Sequence, residues 1–224
     1  MSSELLLILW VSLKVACLSS IIVMTISLCL ALLFDRKHNR WLKLLEMLIY
    51  IPMAMPPVPL GYGLLLLVGP KSHLGAWLYK LNIEIAFNFW GAVLAASMAS
   101  LGIGVRTMRT AFSHLDPHFS EIACLHGAHS WQIFRHIQLP LLSPSLAAGF
   151  LLVFIRSLGE FGATIFLAGN TLGETRTLAL AIWTNMQIPG QEQNTNILVF
   201  LSITVCFSAL FLSELLIKKS DRNF

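Results

Sequence analysis

Five long apolar stretches without a charged side chain punctuate the chain, at residues 15–34, 48–70, 85–105, 139–155 and 197–213. A helix rises about 1.5 Å per residue, so about twenty residues cross a hydrocarbon core of about 30 Å. The pattern predicts five membrane-spanning helices and an all-α, polytopic fold. The fourth stretch resumes beyond Arg156, through Leu158 and on toward Gly169. Its helix either ends at Gly159 or runs through Ala168. The following segment, 170–196, is either a re-entrant piece or an outer surface helix.

Composition agrees with that reading. Of 224 residues, 56% are apolar and 12% charged, and mean hydropathy is +0.75. A soluble domain cannot hide so much apolar surface. Five spans with short loops fill the length, which is expected to form one transmembrane domain over 1–224 with no separate soluble catalytic domain. The first residues lack the basic start of a cleavable signal. The net charge of +4 records placement. Ten of the fifteen Lys and Arg residues fall on one side: Arg36, Lys37, Arg40, Lys43, Arg106, Arg109, Arg135, Lys218, Lys219 and Arg222. The positive-inside rule makes that side cytoplasmic, with the N-terminus outside and the C-terminus inside. Neither nucleic-acid binding nor anion selectivity follows from the excess. Cys17, Cys29, Cys124 and Cys206 read as small fillers rather than a disulfide framework.

No phosphate-cradling loop, His-Glu-x-x-His or Gly-x-Ser-x-Gly motif is present. No cofactor and no metal site is expected, and the chain does not read as an enzyme. Energy for uphill transport must come from an ion gradient or from a partner.

The connection from Arg106 to about Gln138 is too long for a simple turn. Asp116-Pro117 is a capping carboxylate followed by proline at the first helical position. Gly127 is suited to the positive φ that ends a helix, and Ser130 to capping a second helix over 131–137. Pro140 then opens the fourth span. Phe119, Ile122, Leu125, Trp131, Ile133 and Phe134 give this pair of short helices an apolar face, for a membrane surface or for a cytoplasmic partner. Five histidines lie nearby: His114, His118, His126, His129 and His136. They read as polar residues at a wet interface.

The string Glu121-Ile122-Ala123-x3-Gly127-x9-Ile137-x-Leu139-Pro140 resembles the EAA loop of ABC-transporter permease subunits, with Ile122 in place of the first alanine. The resemblance implies a MetI-like importer permease fold. It also implies that helices at about 116–140 couple to a cytoplasmic ATP-binding subunit through Glu121, Ala123, Gly127, Ile137, Leu139 and Pro140.

Two further segments carry candidate chemistry. In the second stretch Pro56, Pro57 and Pro59 remove backbone donors from apolar surroundings. Such a break must face protein or a water-filled path, and oxyanion permeases of this family have a similar Pro-Pro segment. Arg156 and Glu160 stand four residues apart in an apolar region, which favours a structural ion pair beside the pathway over direct substrate binding. Thr164 and Asn170 carry groups able to donate to an oxyanion, with internal hydrogen bonding the equal alternative. Arg156-x-Leu-Gly-Glu-Phe-Gly-Ala-Thr164, Ala168-Gly169-Asn170 and the run from Thr175 to Ile182 resemble molybdate permeases, with Ala179 where proline is frequent. That departure keeps sulfate, thiosulfate or tungstate as alternatives; an ion-coupled secondary transporter is the rival of another class. The resemblance, from about Leu13 to Leu216, implies a homodimer in the bacterial inner membrane, served by two ATP-binding cassette subunits and an extracytoplasmic oxyanion-binding protein.

Overall fold

A computed structural model describes residues 2–36 and 40–221. Of the topology-marking cations, Lys37 and Arg222 lie outside the described residues. The elements are α1 (Ser2–Arg36), α2 (Arg40–Ala54), α3 (Pro57–Val68), α4 (His73–Lys80), α5 (Phe89–Ser113), α6 (Pro117–Leu125), α7 (Ser130–Ile133), a π turn (Phe134–Gln138), α8 (Leu139–Leu158), α9 (Gly162–Leu167), α10 (Leu178–Met186) and α11 (Glu192–Asp221). Four helices are long and apolar enough to cross a membrane: 4–34, 89–113, 130–158 and 192–215. The pair α2–α3, bent by 116° at the break between them, brings the number to five when counted as one broken span.

Helix α5 is the centre. Asn88 caps it, its side chain accepting from the N–H groups of Trp90 and Gly91. Along it Ala92, Ala95, Ala96, Ala99, Ser100 and Gly102 are buried, and helix α1 packs along the same element. Lipid tails are as apolar as a leucine side chain, so burial alone does not hold spans together. Small side chains instead let backbones approach and gain dispersion contact. Toward one end of the bundle Val23, Met24, Met108, Phe112, Phe134, Leu142 and Val153 form a core shared by α1, α5, the π turn and α8. At the other, Ser12 Oγ donates to Ile8 O and accepts from Leu178 N at 2.7 Å each, tying α10 to α1.

Several boundaries differ from the sequence expectation. Helix α1 begins thirteen residues before position 15 and carries Lys14 within it, the ammonium lying over the Trp10 ring at 4.8 Å. Helix α5 continues through Arg106 and Arg109 to Ser113, so the connecting segment starts at His114 rather than Arg106. The reason is a partner: Arg109 is ion-paired with Glu46 of α2, which also accepts from Tyr50 Oη at 3.0 Å. The fourth span ends at Leu158 and does not run through Ala168. Residues 178–186 form a helix with Leu178, Leu180 and Ala181 buried against the bundle.

Candidate functional site

The connecting segment folds as two short helices from local signals. Asp116 accepts from His118 N at 3.0 Å, and Pro117 takes the first position of α6, where an N–H has no helical partner anyway. After α6 the chain reverses at Gly127, with φ +80°, a backbone state that side chains with a Cβ rarely adopt. The next helix begins one residue earlier than expected: His129, not Ser130, is its cap, and His129 N donates to Gln132 Oε1 at 2.9 Å. Helix α7 then passes into the π turn, whose Leu139 N–H bonds back to Phe134 O. Pro140 is the local cause, since its ring lacks a donor and crowds the carbonyl four residues back. Helix α7, the π turn and α8 are therefore one continuous helix over 130–158.

Within this unit the EAA-loop residues divide by exposure. Glu121 is exposed, its carboxylate 3.4 Å from His118 Nδ1. Gly127 and Pro140 are exposed, while Ala123, Ile137 and Leu139 are half-buried. Leu139 packs on the core below, and Gln138 Nε2 donates to Ser120 Oγ at 3.3 Å, joining α6 to the π turn. What remains outward is apolar: Phe119, Ile122 and Trp131 are at least half exposed and Leu125 is 86% exposed. Of the five histidines, His126 and His136 bond through Nδ1 to the carbonyls of Ile122 and Gln132 in their own helices.

The other candidates converge on the break between α2 and α3. Pro56 caps α3 with φ −58° and ψ 142°, and Pro57 and Pro59 lie in its first turn. Their missing donors are ones a helix start leaves unpaired. Residues 53–59 are all exposed. Behind them α9 crosses α3 at backbone distance. A Cβ on Gly162 would stand 2.6 Å from Pro57 Cβ, and one on Gly61 2.6 Å from Ala163 Cα. Glu160 fixes this crossing. It is 2% exposed, and its Oε2 accepts from Arg156 Nη1 at 2.7 Å and its Oε1 from Ala163 N at 2.9 Å. The pair thus clamps the end of α8 to the start of α9.

Within the protomer Thr164 is buried and Asn170 half-buried. Thr164 is 1% exposed inside the protomer. Asn170 donates to Thr184 Oγ1 at 2.7 Å and accepts from Arg176 Nε at 2.8 Å, holding the 170–176 loop against α10. The sequence reading missed Glu46 and Tyr50. A lone carboxylate near the start of the second span, facing a basic helix end, is the signal that finds them.

Comparison with known proteins assigns this architecture. The family described as "Binding-protein-dependent transport system inner membrane component" matches residues 18–222. The chain is 36% identical over 213 residues to the molybdenum transport system permease protein ModB of Haemophilus influenzae, covering 95% of this chain and 93% of that one. It is also 36% identical to the sulfate transport system permease protein CysT of Escherichia coli, over 74% of this chain and 61% of that one. Among solved structures, a chain of the inward-facing MetNI methionine ABC transporter superposes with TM-score 0.77 over 98% of this chain, at 14% identity. That likeness is one of fold, and the all-helical importer-permease fold expected from the sequence is the one found. The ion-coupled rival has no support here: the chain belongs to the binding-protein-dependent transport system inner membrane component family and is a membrane-spanning permease.

Proposed function

We propose that the chain is the permease subunit of an ATP-driven importer for molybdate. Two copies enclose one pathway. Two ATP-binding cassette subunits dock at 116–140 of each copy, and an extracytoplasmic binding protein delivers the oxyanion. The N-terminus is outside and the C-terminus cytoplasmic, as the cation placement argues. The observation that carries the coupling role is the exposed apolar face of α6 and α7, which keeps EAA-loop spacing and is continuous with a span. Movement of the ATP-binding subunits reaches the pathway through that continuity. The substrate reading rests on coverage: at equal identity, the molybdenum permease aligns nearly end to end, the sulfate permease over about three quarters of the chain.

Co-purification and uptake test this. The permease is expected to retain an ATP-binding subunit, and Gly127→Pro to abolish ATP-driven uptake. Loss of retention together with intact uptake in Gly127→Pro sinks the coupling role. Labelled molybdate uptake is expected to resist excess sulfate; displacement by sulfate transfers the assignment to sulfate.

A further inference from the structure

Helices α5 and α8 pack against α1 along one side, α2 lies beside α5, and α11 lies beside α8. No α1 residue lines the cavity of about 500 Å³ that opens between α5 and α8 on the remaining side, with Met53 from the end of α2 at its edge. Its polar lining is unusual for a span. Arg106 and Thr110 come from α5, His114 from the residue that caps its end, and Ser145 from α8. Four-residue spacing sets the first three in one stripe about 12 Å long. None of these four side chains makes a hydrogen bond or ion pair with a described residue, so their donors are unspent. Thr107 differs, since its hydroxyl donates to Ile103 O at 2.9 Å. No carboxylate lines the cavity. Glu46 of the neighbouring α2 is already held by Arg109 and Tyr50, and Arg106 makes no ion pair with it. Leu152, Ala148 and Ile103 supply apolar wall, which lowers the local dielectric and strengthens attraction for an anion.

We infer that this groove is a transient site for a tetrahedral oxyanion on the cytoplasmic half of the pathway, with Arg106 as anchor and Thr110, His114 and Ser145 as further donors. A planar guanidinium suits two oxygens of such an ion at once. The site rests on the oxyanion-import reading above. Placed one helix turn from the Glu46–Arg109 pair, it lies where an ion leaves toward the coupling helices.

The test uses the intact importer in vesicles, with molybdate-loaded binding protein outside. Arg106→Gln is expected to lower initial uptake on the order of tenfold, while ATP hydrolysis stimulated by the binding protein stays within about twofold of wild type. Arg106→Lys should recover part of the loss, because the charge remains. Thr110→Val, a milder change of nearly equal volume, should lower uptake about threefold. Unchanged uptake in Arg106→Gln and Thr110→Val overturns the site. Parallel loss of uptake and hydrolysis also overturns it, since the arginine then serves coupling. A defect confined to vesicles of anionic phospholipid assigns the groove to a lipid phosphate and overturns it as well. Wild-type uptake decides the substrate reading separately. If the wild type carries sulfate instead, the variant-to-wild-type ratio on sulfate decides the site; if it carries neither anion, both readings fall.

Discussion

The knot at the α3–α9 crossing and the α6–α7 pair, proposed above as the coupling pair, are both marked by conspicuous sequence motifs, yet they are built in opposite ways. At the knot each special residue is spent inside the protomer. Glu160 is buried with two partners, and Gly61 and Gly162 admit a backbone where no Cβ fits. At the coupling pair the local geometry is also satisfied, by Asp116 and Gly127, but the apolar side chains face outward. A motif therefore marks a constraint without saying who shares it. Exposure separates them: the knot is held by its own chain, whereas the apolar side chains of α6–α7 are open to the partner proposed above.

Substitutions can break this contrast, ordered here by their expected effect on permease stability. Glu160→Ala removes a buried carboxylate with an ion pair and a backbone N–H on it. It should cost about 3 kcal/mol, read as a lowered melting temperature in detergent; an unchanged melting point would make the clamp incidental. Gly162→Ala forces a methyl against Pro57 and should cost about 2 kcal/mol. Intramolecular cross-linking of cysteines placed on α3 and α9 should then become slower as the crossing opens.

These two positions also show the limit of the sequence. Arg156 and Glu160 are legible as a pair from spacing and apolar surroundings. Their third partner, the N–H of Ala163, is not, because it depends on the chain breaking at 159–161. Spans, the Asp116 cap and the Gly127 reversal were legible because each is set by neighbouring residues. The extension of α5 past Arg106 was not, because its permission comes from Glu46, sixty residues away. Asn170 is a case of the same kind: its donor is visible in the sequence, but its bond to Thr184 is tertiary.

Smaller effects belong to the coupling pair. Gly127→Ala meets no neighbouring atom and should cost about 1 kcal/mol, from its positive φ alone. Leu125→Asp, at an exposed position, should shift stability by less than about 0.5 kcal/mol. Pull-down of the ATP-binding subunit should nevertheless fall on the order of tenfold or more. If Leu125→Asp melts the permease as Glu160→Ala does, the distinction between inward and outward constraint fails.

The π turn at 134–138 adds a rotational consequence. Each helical residue advances the facing direction by about 100°, and a π turn holds one residue more than an α-helical path needs. Winding the same residues as a plain α-helix would leave α7 and α8 both helical, with their surfaces intact. It would nonetheless swing Trp131 around the axis by about 100° relative to Leu142. The direction in which the α7 face points is thus a phase angle, set by the wide turn that absorbs one surplus residue.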